Sequence, residues 1–419
     1  MTISPTRPFA VDSAATAAPS THPRLLTGAG DDLDSHQRIY GPRRAADPGE
    51  LLDAIDASGL SGRGGAAFPA ARKLAATMKS GASARIRPVV VANGAEGEPL
   101  SRKDAVLLAQ SPHLVLDGLA AVASAVGANT GYLCVPTASV DRMRALIAHR
   151  QSTGWDGLPV QVVGTAGRFV DGETSAIVDL IEGGPGRPRD RRVPTARSGV
   201  QGAATLVHNV ETLAHIAVIN RNGAQWFRGR GTAQEPGTML ATVSGVDGVD
   251  GVLEVDLGVP LAVLLHGAAG VDASRVRAVL VGGFHGTWVD GRHVAQARLS
   301  RESLSYLGAA PGAGVVRYLL RGECGLHATT QIVDNLADQS ARQCGPCMFG
   351  LPSLARSTAE LLAHGGLDRA AHVRRLADTV DGRGACAHPD GTAAMVRSAL
   401  AVFADDIDAH GRGYCRRNR

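Results

Sequence analysis

From Pro48 onward, segments of helical period alternate with short β-branched runs, and that alternation decides what the chain can fold into. PGELLDAIDAS has apolar residues at helical spacing and stops before Gly59. IRPVVVANGAEGEP is a strand-like run that ends in a polar loop, HLVLDGLAAVASAV reads as a helix, and TGYLCVP reads as the next strand. Such a pattern builds a mostly parallel sheet covered by helices, with ligands collected at the loops that leave the strand ends. From about Pro236 the texture changes to short strand-like segments, TMLATVSG, GVLEVDLG and RVRAVLVGGFHG, around one helix, PLAVLLHGAAG. From about Thr329 it is helical again, through TTQIVDNLADQSA, FGLPSLARSTAELLAH, DRAAHVRRLADTV and TAAMVRSALAVFADDIDAH. The 419 residues, 44% of them apolar, supply material for several cores.

The charge balance of 43 basic against 39 acidic residues contains no long basic arm, and aromatics make up only 4%, so nucleic acid is not an expected partner. The 52 glycines favour close approach of backbone to a ligand. The start of the chain lacks the basic-then-apolar design of a signal peptide, and no run reaches the roughly 20 apolar residues of a membrane span. The expectation is a cytoplasmic protein, peripheral at most to a membrane complex. Residues 1 to about 35, rich in Ser, Thr, Pro, Ala and Gly, read as a mobile extension. In a reducing compartment the six cysteines are ligands, redox groups or buried apolar residues rather than disulfides, and their crowding toward the C-terminus points to a local site.

Four stretches carry candidate chemistry. In GLSGRGGAAFPAARKL, Gly62, Gly64 and Gly65 would let backbone N–H groups approach a phosphate, with Arg63 and Lys73 adding charge; the plainer reading is a glycine-rich turn. The loop is neither a Walker A sequence nor a G-x-G-x-x-G fingerprint. VVANGAEGEPLSRKD places Asn93, Glu96, Glu98 and Asp104 directly after a strand, as ligands for hydroxyl groups or as an exposed acidic turn. DGETSAIVDL puts Glu173, after Gly172, near a helix start, and HNVETLAHI does the same with Asn209, Glu211 and Thr212; capping and binding are both open there. Cys344-Gly345-Pro346-Cys347 is a C-x-x-C between helices, suited to zinc, thiol redox chemistry or an iron–sulfur cluster.

GRGGAAFP, NGAEGEP, GETSA and HNVETL, in this order and at these separations, resemble the NADH- and FMN-binding flavoprotein (F) subunit of respiratory complex I, a family shared with bidirectional hydrogenases and NAD-dependent formate dehydrogenases. The resemblance runs from about residue 48 to 405. It implies a multidomain α/β fold: an N-terminal extension (1–45, partly disordered), a Rossmann-like FMN domain (46–235), an SLBB module of ubiquitin-like β-grasp fold (236–318) and a C-terminal α-helical iron–sulfur bundle (319–419). It matches Gly62, Arg63, Gly64, Gly65, Lys73, Asn93, Glu96, Gly172, Glu173, Asn209 and Thr212 to positions around FMN. Phe68 matches an aromatic that stacks on the nicotinamide dinucleotide, and Glu98 the carboxylate beside it, the candidate catalytic group.

Cys344, Cys347 and Cys386 match three of the four thiolates of that family's [4Fe-4S] cluster, while the fourth position is Ala341. A site short of one thiolate implies a substitute ligand, such as Cys324 or Cys415, or a [3Fe-4S] cluster. Other departures gather around the flavin and dinucleotide. Ala95 replaces an Asp, Thr174 the second Glu of a GEET motif, His208 the first Asn of NNVET and Leu74 a Trp, and the aromatic expected near Pro194 is missing. They imply that FMN is kept and that use of NAD(H) is open. The expected function is electron transfer between FMN and a cluster, onward to a ferredoxin-like or membrane redox subunit. The alternative is a structural adaptor subunit that has lost NADH oxidation.

Overall fold

The computed structural model describes residues 23–82, 84–155, 157–189 and 193–416. Of the extension expected to be mobile, residues 1–22 lie outside the described residues, but from residue 23 the chain is folded. The reason is local. The Glu254 carboxylate accepts N–H bonds from Arg24 (2.9 Å), Leu25 (2.8 Å) and Leu26 (3.2 Å), and the Leu25 side chain is fully buried. Helix α1 (Leu33–Tyr40) then buries His36 against Asp117 at 2.8 Å. A segment of polar composition is thereby held by charge-assisted bonds rather than by its own apolar content.

Helices α2 (Pro48–Ser58) and α3 (Ala70–Ala82) lead into β1 (Val89–Asn93). There follow α4 (Lys103–Gln110), α5 (Pro112–Val126), β2 (Gly131–Pro136), α6 (Val140–Ser152), β3 (Val160–Thr165), α7 (Thr174–Ile181), β4 (Thr205–Asn209) and α8 (Val210–Arg228). The four strands pair in parallel in the order β3-β2-β1-β4. Their continuous apolar runs follow from burial on both faces, with α5 and α8 packed together as core helices. A side chain at Gly118 would put a Cβ 2.0 Å from the Leu213 carbonyl oxygen, so glycine there is what lets these two helices meet. The chain steps outward through β1, β2 and β3 and then returns to the other side of β1. The order reverses between β1 and β4, and the register pairs Asn93 with Asn209 at the carboxyl ends of these two strands. A crevice at such a reversal is where open α/β sheets bind ligands.

A second sheet follows, built from β5 (Thr238–Ser244), β6 (Val249–Asp256), helix α9 (Leu261–Ala269), β7 (Val276–Val281), β8 (Thr287–Asp290), short α10 (Arg301–Ser305) and β9 (Val315–Leu320). Its order is β6-β5-β9-β7-β8, with β5 and β9 parallel and the other pairs antiparallel. The chain ends in helices α11 (Gly325–Asp338), α12 (Leu351–His364), α13 (Leu367–Val380), α14 (His388–Val402) and α15 (Ala404–Gly411), which share one core with Trp288 and Phe284 of the second sheet region. The structure is thus mixed α/β with a parallel sheet and a helical C-terminal region. Among the described residues no single helix is long and apolar enough to cross a membrane. The bent pair α4 and α5, at 95°, passes on length and composition together, and α5 is a core helix.

Candidate cofactor site

A cavity of about 400 Å³ lies at the carboxyl ends of β1 and β4, where the strand order reverses. That is the size of a small-molecule or cofactor pocket. One side is built by the loops of the parallel sheet: Gly64 and Gly65, then Asn93, Glu96 and Glu98, then Gly172, Glu173 and Asn209. The other side comes from the second sheet and the helical region: Gly282, His285, Gly312, Cys386 and His388.

The glycine-rich loop joins α2 to α3, pinned at its neck by a bridge between Ser61 and Pro69 and by the Gly62 N–H donating to the Phe68 carbonyl at 2.9 Å. At its tip Gly65 has φ +103°, a conformation that side chains resist, and a Cβ on Gly64 would stand 3.4 Å from the Asn209 Cβ. Both therefore offer bare backbone to the cavity. Arg63 does not. It is buried behind the loop, its N–H donating to Thr212 Oγ1 (2.9 Å) and its guanidinium to Ser61 (2.9 Å) and the Thr238 carbonyl (3.0 Å). Lys73 also points away, donating from Nζ to the Val207 carbonyl at 2.6 Å, and burial lowers its pKa.

The acidic loop is satisfied from within. Glu96 accepts from Ser101 Oγ (2.6 Å) and from the Asp104 (3.0 Å) and Ala105 (3.1 Å) N–H groups at the start of α4, where a carboxylate complements the helix dipole. Asn93 donates to the Gly172 carbonyl at 2.9 Å, Glu173 caps α7 through Ser175 and Ala176, and Asn209 caps α8 through Glu211. At the centre, buried Lys103 reaches Asp104 (2.7 Å), Glu211 (3.0 Å) and Asn209 (3.1 Å). Burial alone would lower the lysine, but these two carboxylates reverse that and hold it above its usual value. Glu211 stays ionised, near 2, because Lys103, His215 and Arg63 outweigh its burial. Its second duty is to accept the Leu240 N–H at 2.9 Å, tying the second sheet to the first.

Glu98 stands apart. Its carboxylate accepts from the Phe284 (2.8 Å) and Leu100 (3.3 Å) N–H groups, yet burial dominates and pushes it up to about 7. Across the cavity, His285 and His388 have ring centroids 5.1 Å apart, with Phe169 against both. His388 donates from Nε2 to the Leu336 carbonyl at 2.8 Å, which fixes the tautomer and leaves Nδ1 without a partner; His285 Nε2 is likewise unpartnered. Burial pushes His285 down to about 3, so both rings are neutral and able to accept.

Cys386, two residues before His388, lines the same cavity. Burial pushes the Cys347 thiol up to about 12, and the Cys344 and Cys386 thiols beside it push the same way. Cys344 and Cys386 are thus near enough to bear on Cys347, and these three thiols are soft donors of the kind an iron–sulfur cluster takes, with Ala341 buried at the fourth sequence position. Cys347 lies in a π-type turn, Pro346–Gly350, and Arg342 just upstream has φ +50°, so the backbone around the C-x-x-C is irregular where the thiols must be aimed.

Of the residues anticipated from sequence, the cavity brings together Gly64, Gly65, Asn93, Glu96, Glu98, Gly172, Glu173, Asn209 and Cys386. Gly62, Arg63, Lys73 and Thr212 support it from behind. Phe68 is half exposed, with the Arg72 guanidinium 5.8 Å from its ring centroid. Sequence reasoning missed Lys103, Phe169, Gly282, His285 and Gly312. Lys103 was visible only as one more charge in SRKD, and the others come from segments distant in the chain.

A model of the Nuo51 FMN-binding domain matches residues 55–218, and a model of the NADH-ubiquinone oxidoreductase-F iron-sulfur binding region matches residues 327–410. The chain thus carries both the FMN-binding domain and the iron–sulfur binding region of the NADH-ubiquinone oxidoreductase F type, in that order. The NADH-quinone oxidoreductase F 2 subunit of Rhizobium meliloti is 29% identical over 378 residues, covering 87% of this chain and 89% of that protein. The NADP-reducing hydrogenase subunit HndC of Solidesulfovibrio fructosivorans is 28% identical over 381 residues, covering 87% and 76%. A chain of the NAD+-reducing [NiFe]-hydrogenase in its air-oxidized state superposes with TM-score 0.82 at 28% identity, over 95% of this chain and 68% of that one.

Proposed function

We propose that this protein is a flavin and iron–sulfur electron-transfer oxidoreductase in which the cavity between the two sheets holds FMN and Cys344, Cys347 and Cys386 hold a cluster. The observation that carries the reading is the shared wall: the glycine loop and a cluster-type cysteine face one cavity. FMN fits it by size and by backbone exposure, since a Cβ on Gly172 would stand 3.2 Å from the Ala95 carbonyl oxygen and one on Gly65 would be strained by its positive φ. When bound, FMN supplies the exchange between two-electron and one-electron carriers, and a cluster the one-electron step beyond it.

The chain's own residues divide the remaining work. Gly64 and Gly65 present backbone to a phosphate, Asn93, Glu96, Glu173 and Asn209 line the cavity, and the Lys103 network keeps the loops in register. Glu98, neutral or ionised near neutral pH, can hold or release a proton at its carboxyl oxygen beside the cavity. The antiparallel flanks and the parallel pairing of first and last strands support assigning the second sheet as the β-grasp SLBB module. The helical region is then the iron–sulfur bundle, and the electron acceptor a ferredoxin-like or membrane redox subunit of a cytoplasmic complex.

Anaerobically purified protein is expected to be yellow and to contain iron and acid-labile sulfide. NADH and NADPH titrations decide the donor. Ala95 and Thr174 replace acidic groups of the family pattern and the aromatic expected near Pro194 is missing, and losing several contacts of roughly 1 kcal/mol each should slow bleaching by NADH by about two orders of magnitude. Colourless, iron-free protein would instead identify the adaptor.

A further inference from the structure

A second set of metal-type ligands stands outside the flavin and cluster reading. Cys324 sits immediately before α11, His410 in the last turn of α15 and Cys415 just beyond it, and their ligand atoms all lie within 4.8 Å of one another. Cys324 and His410 are buried and Cys415 is half-buried. Cys324 or Cys415 was a sequence-based substitute for the thiolate missing at Ala341. The structure groups them otherwise, because the thiols that bear on Cys347 are Cys344 and Cys386, whereas the one that bears on Cys324 is Cys415.

We propose that Cys324, His410 and Cys415 form a zinc site that fastens the C-terminal segment to the start of α11. Two sulfurs and an imidazole are the donors zinc prefers. With Zn–S near 2.3 Å and Zn–N near 2.05 Å, a tetrahedral site has an S–N edge of about 3.6 Å. Cys324 Sγ and His410 Nε2 are already 3.4 Å apart. The His327 backbone N–H bonds to the Cys324 sulfur at the start of α11. The carboxylate that bears on Cys324 is committed elsewhere: Asp406 accepts from the Gly325 N–H (2.8 Å), Arg277 (2.7 Å) and Arg416 (3.1 Å). Those bonds also neutralise the two arginines beside the site, and they leave the fourth position to water or to a group from a partner. Binding would release the two thiol protons to solvent.

The test is metal analysis of the full-length protein, reading zinc, iron and flavin separately. Wild type is expected to carry stoichiometric zinc, and Cys415→Ser and His410→Ala each to lose it by about tenfold or more, with iron and flavin unchanged. Should either variant fold poorly, wild type stripped of zinc and titrated with cobalt(II) is expected to develop a thiolate-to-cobalt absorption band. Alkylation of Cys415 should abolish that band. Zinc-free wild type, zinc retained by both variants, or a Cys324–Cys415 disulfide in protein prepared without oxidant would overturn the proposal. Loss of iron with zinc retained would count against the cluster and leave this site standing.

Discussion

The two walls of the cavity are built on opposite terms. On the parallel-sheet wall nearly every polar group is answered within the protein: Glu96, Glu173 and Asn209 cap helices, and Lys103 is shared by Asp104, Glu211 and Asn209. On the facing wall His285 Nε2 and His388 Nδ1 are buried without partners, and Cys386 lines the cavity while bearing on the Cys347 thiol. Buried polar groups left unpaired are costly, so a fold keeps them where something else meets them. The contrast assigns shape to the first wall and chemical contact to the second.

Lys103→Met attacks the first wall hardest. It leaves Asp104 and Glu211 buried beside each other without their cation, a loss of about 3–5 kcal/mol. Denaturant unfolding should show that loss, and a change under about 1 kcal/mol would mean the network does not hold the wall. His285→Phe, which keeps ring volume on the opposite wall, is expected to cost no more than about 1.5 kcal/mol.

Gly65→Val comes next. At φ +103° a β-branched residue costs about 1–3 kcal/mol locally and puts a side chain where bare backbone faces the cavity. Flavin absorbance of the purified variant should fall by about tenfold while the helical region stays folded by circular dichroism, since a loss of about 1.4 kcal/mol in binding is already a factor of ten. Stoichiometric flavin in the variant would remove the loop from the site.

How much of this contrast is legible in sequence follows from where each wall comes from. Asn93, Glu96, Glu173 and Asn209 are each read from a single stretch, because a strand end or helix cap announces itself within a few residues. The alternation likewise announces the parallel sheet. Arg63 misleads for the complementary reason: a charged residue in a glycine loop suggests a phosphate, and only the fold reveals Thr212, Thr238 and Glu211 behind it. The facing wall joins Gly282 and His285 to Cys386 and His388, about a hundred residues apart, and no local pattern encodes that meeting. The folded stretch from residue 23 was hidden similarly, since its anchor is Glu254 in the second sheet.

Glu98 joins the two walls, lying on the first and accepting from Phe284 of the second, and its titration sharpens the comparison with a smaller effect. Its folded value of about 7 lies above the ordinary 4.5, so the folded protein holds a proton that the unfolded chain releases. The stability that Glu98 contributes is fully present below pH 4.5, falls as pH rises toward 7 and is gone beyond it. Glu98→Gln should flatten that window by roughly 1–3 kcal/mol, less than the full shift because the carboxylate lines an open cavity. An unchanged pH profile of the melting temperature would show that Glu98 is ionised throughout.

Ala341→Cys probes the facing wall with the smallest expected change. Cys344 and Cys386 both bear on the Cys347 thiol, and Ala341 is a buried small residue at the sequence position of a fourth thiolate, so a sulfur there adds little volume and no new charge until metal binds. A cubane with a ligand on every iron is held better than one lacking a thiolate. The variant should therefore gain iron per flavin, by up to about one iron per cluster, and its reduced protein should give a stronger [4Fe-4S] signal in electron paramagnetic resonance. Flavin content should not move, because no glycine or capping residue of the first wall is touched. Iron missing from both proteins would leave Cys347 and Cys386 as buried apolar residues and Cys344 as a half-buried one. The facing wall would then lose its redox role while the flavin cradle kept its own.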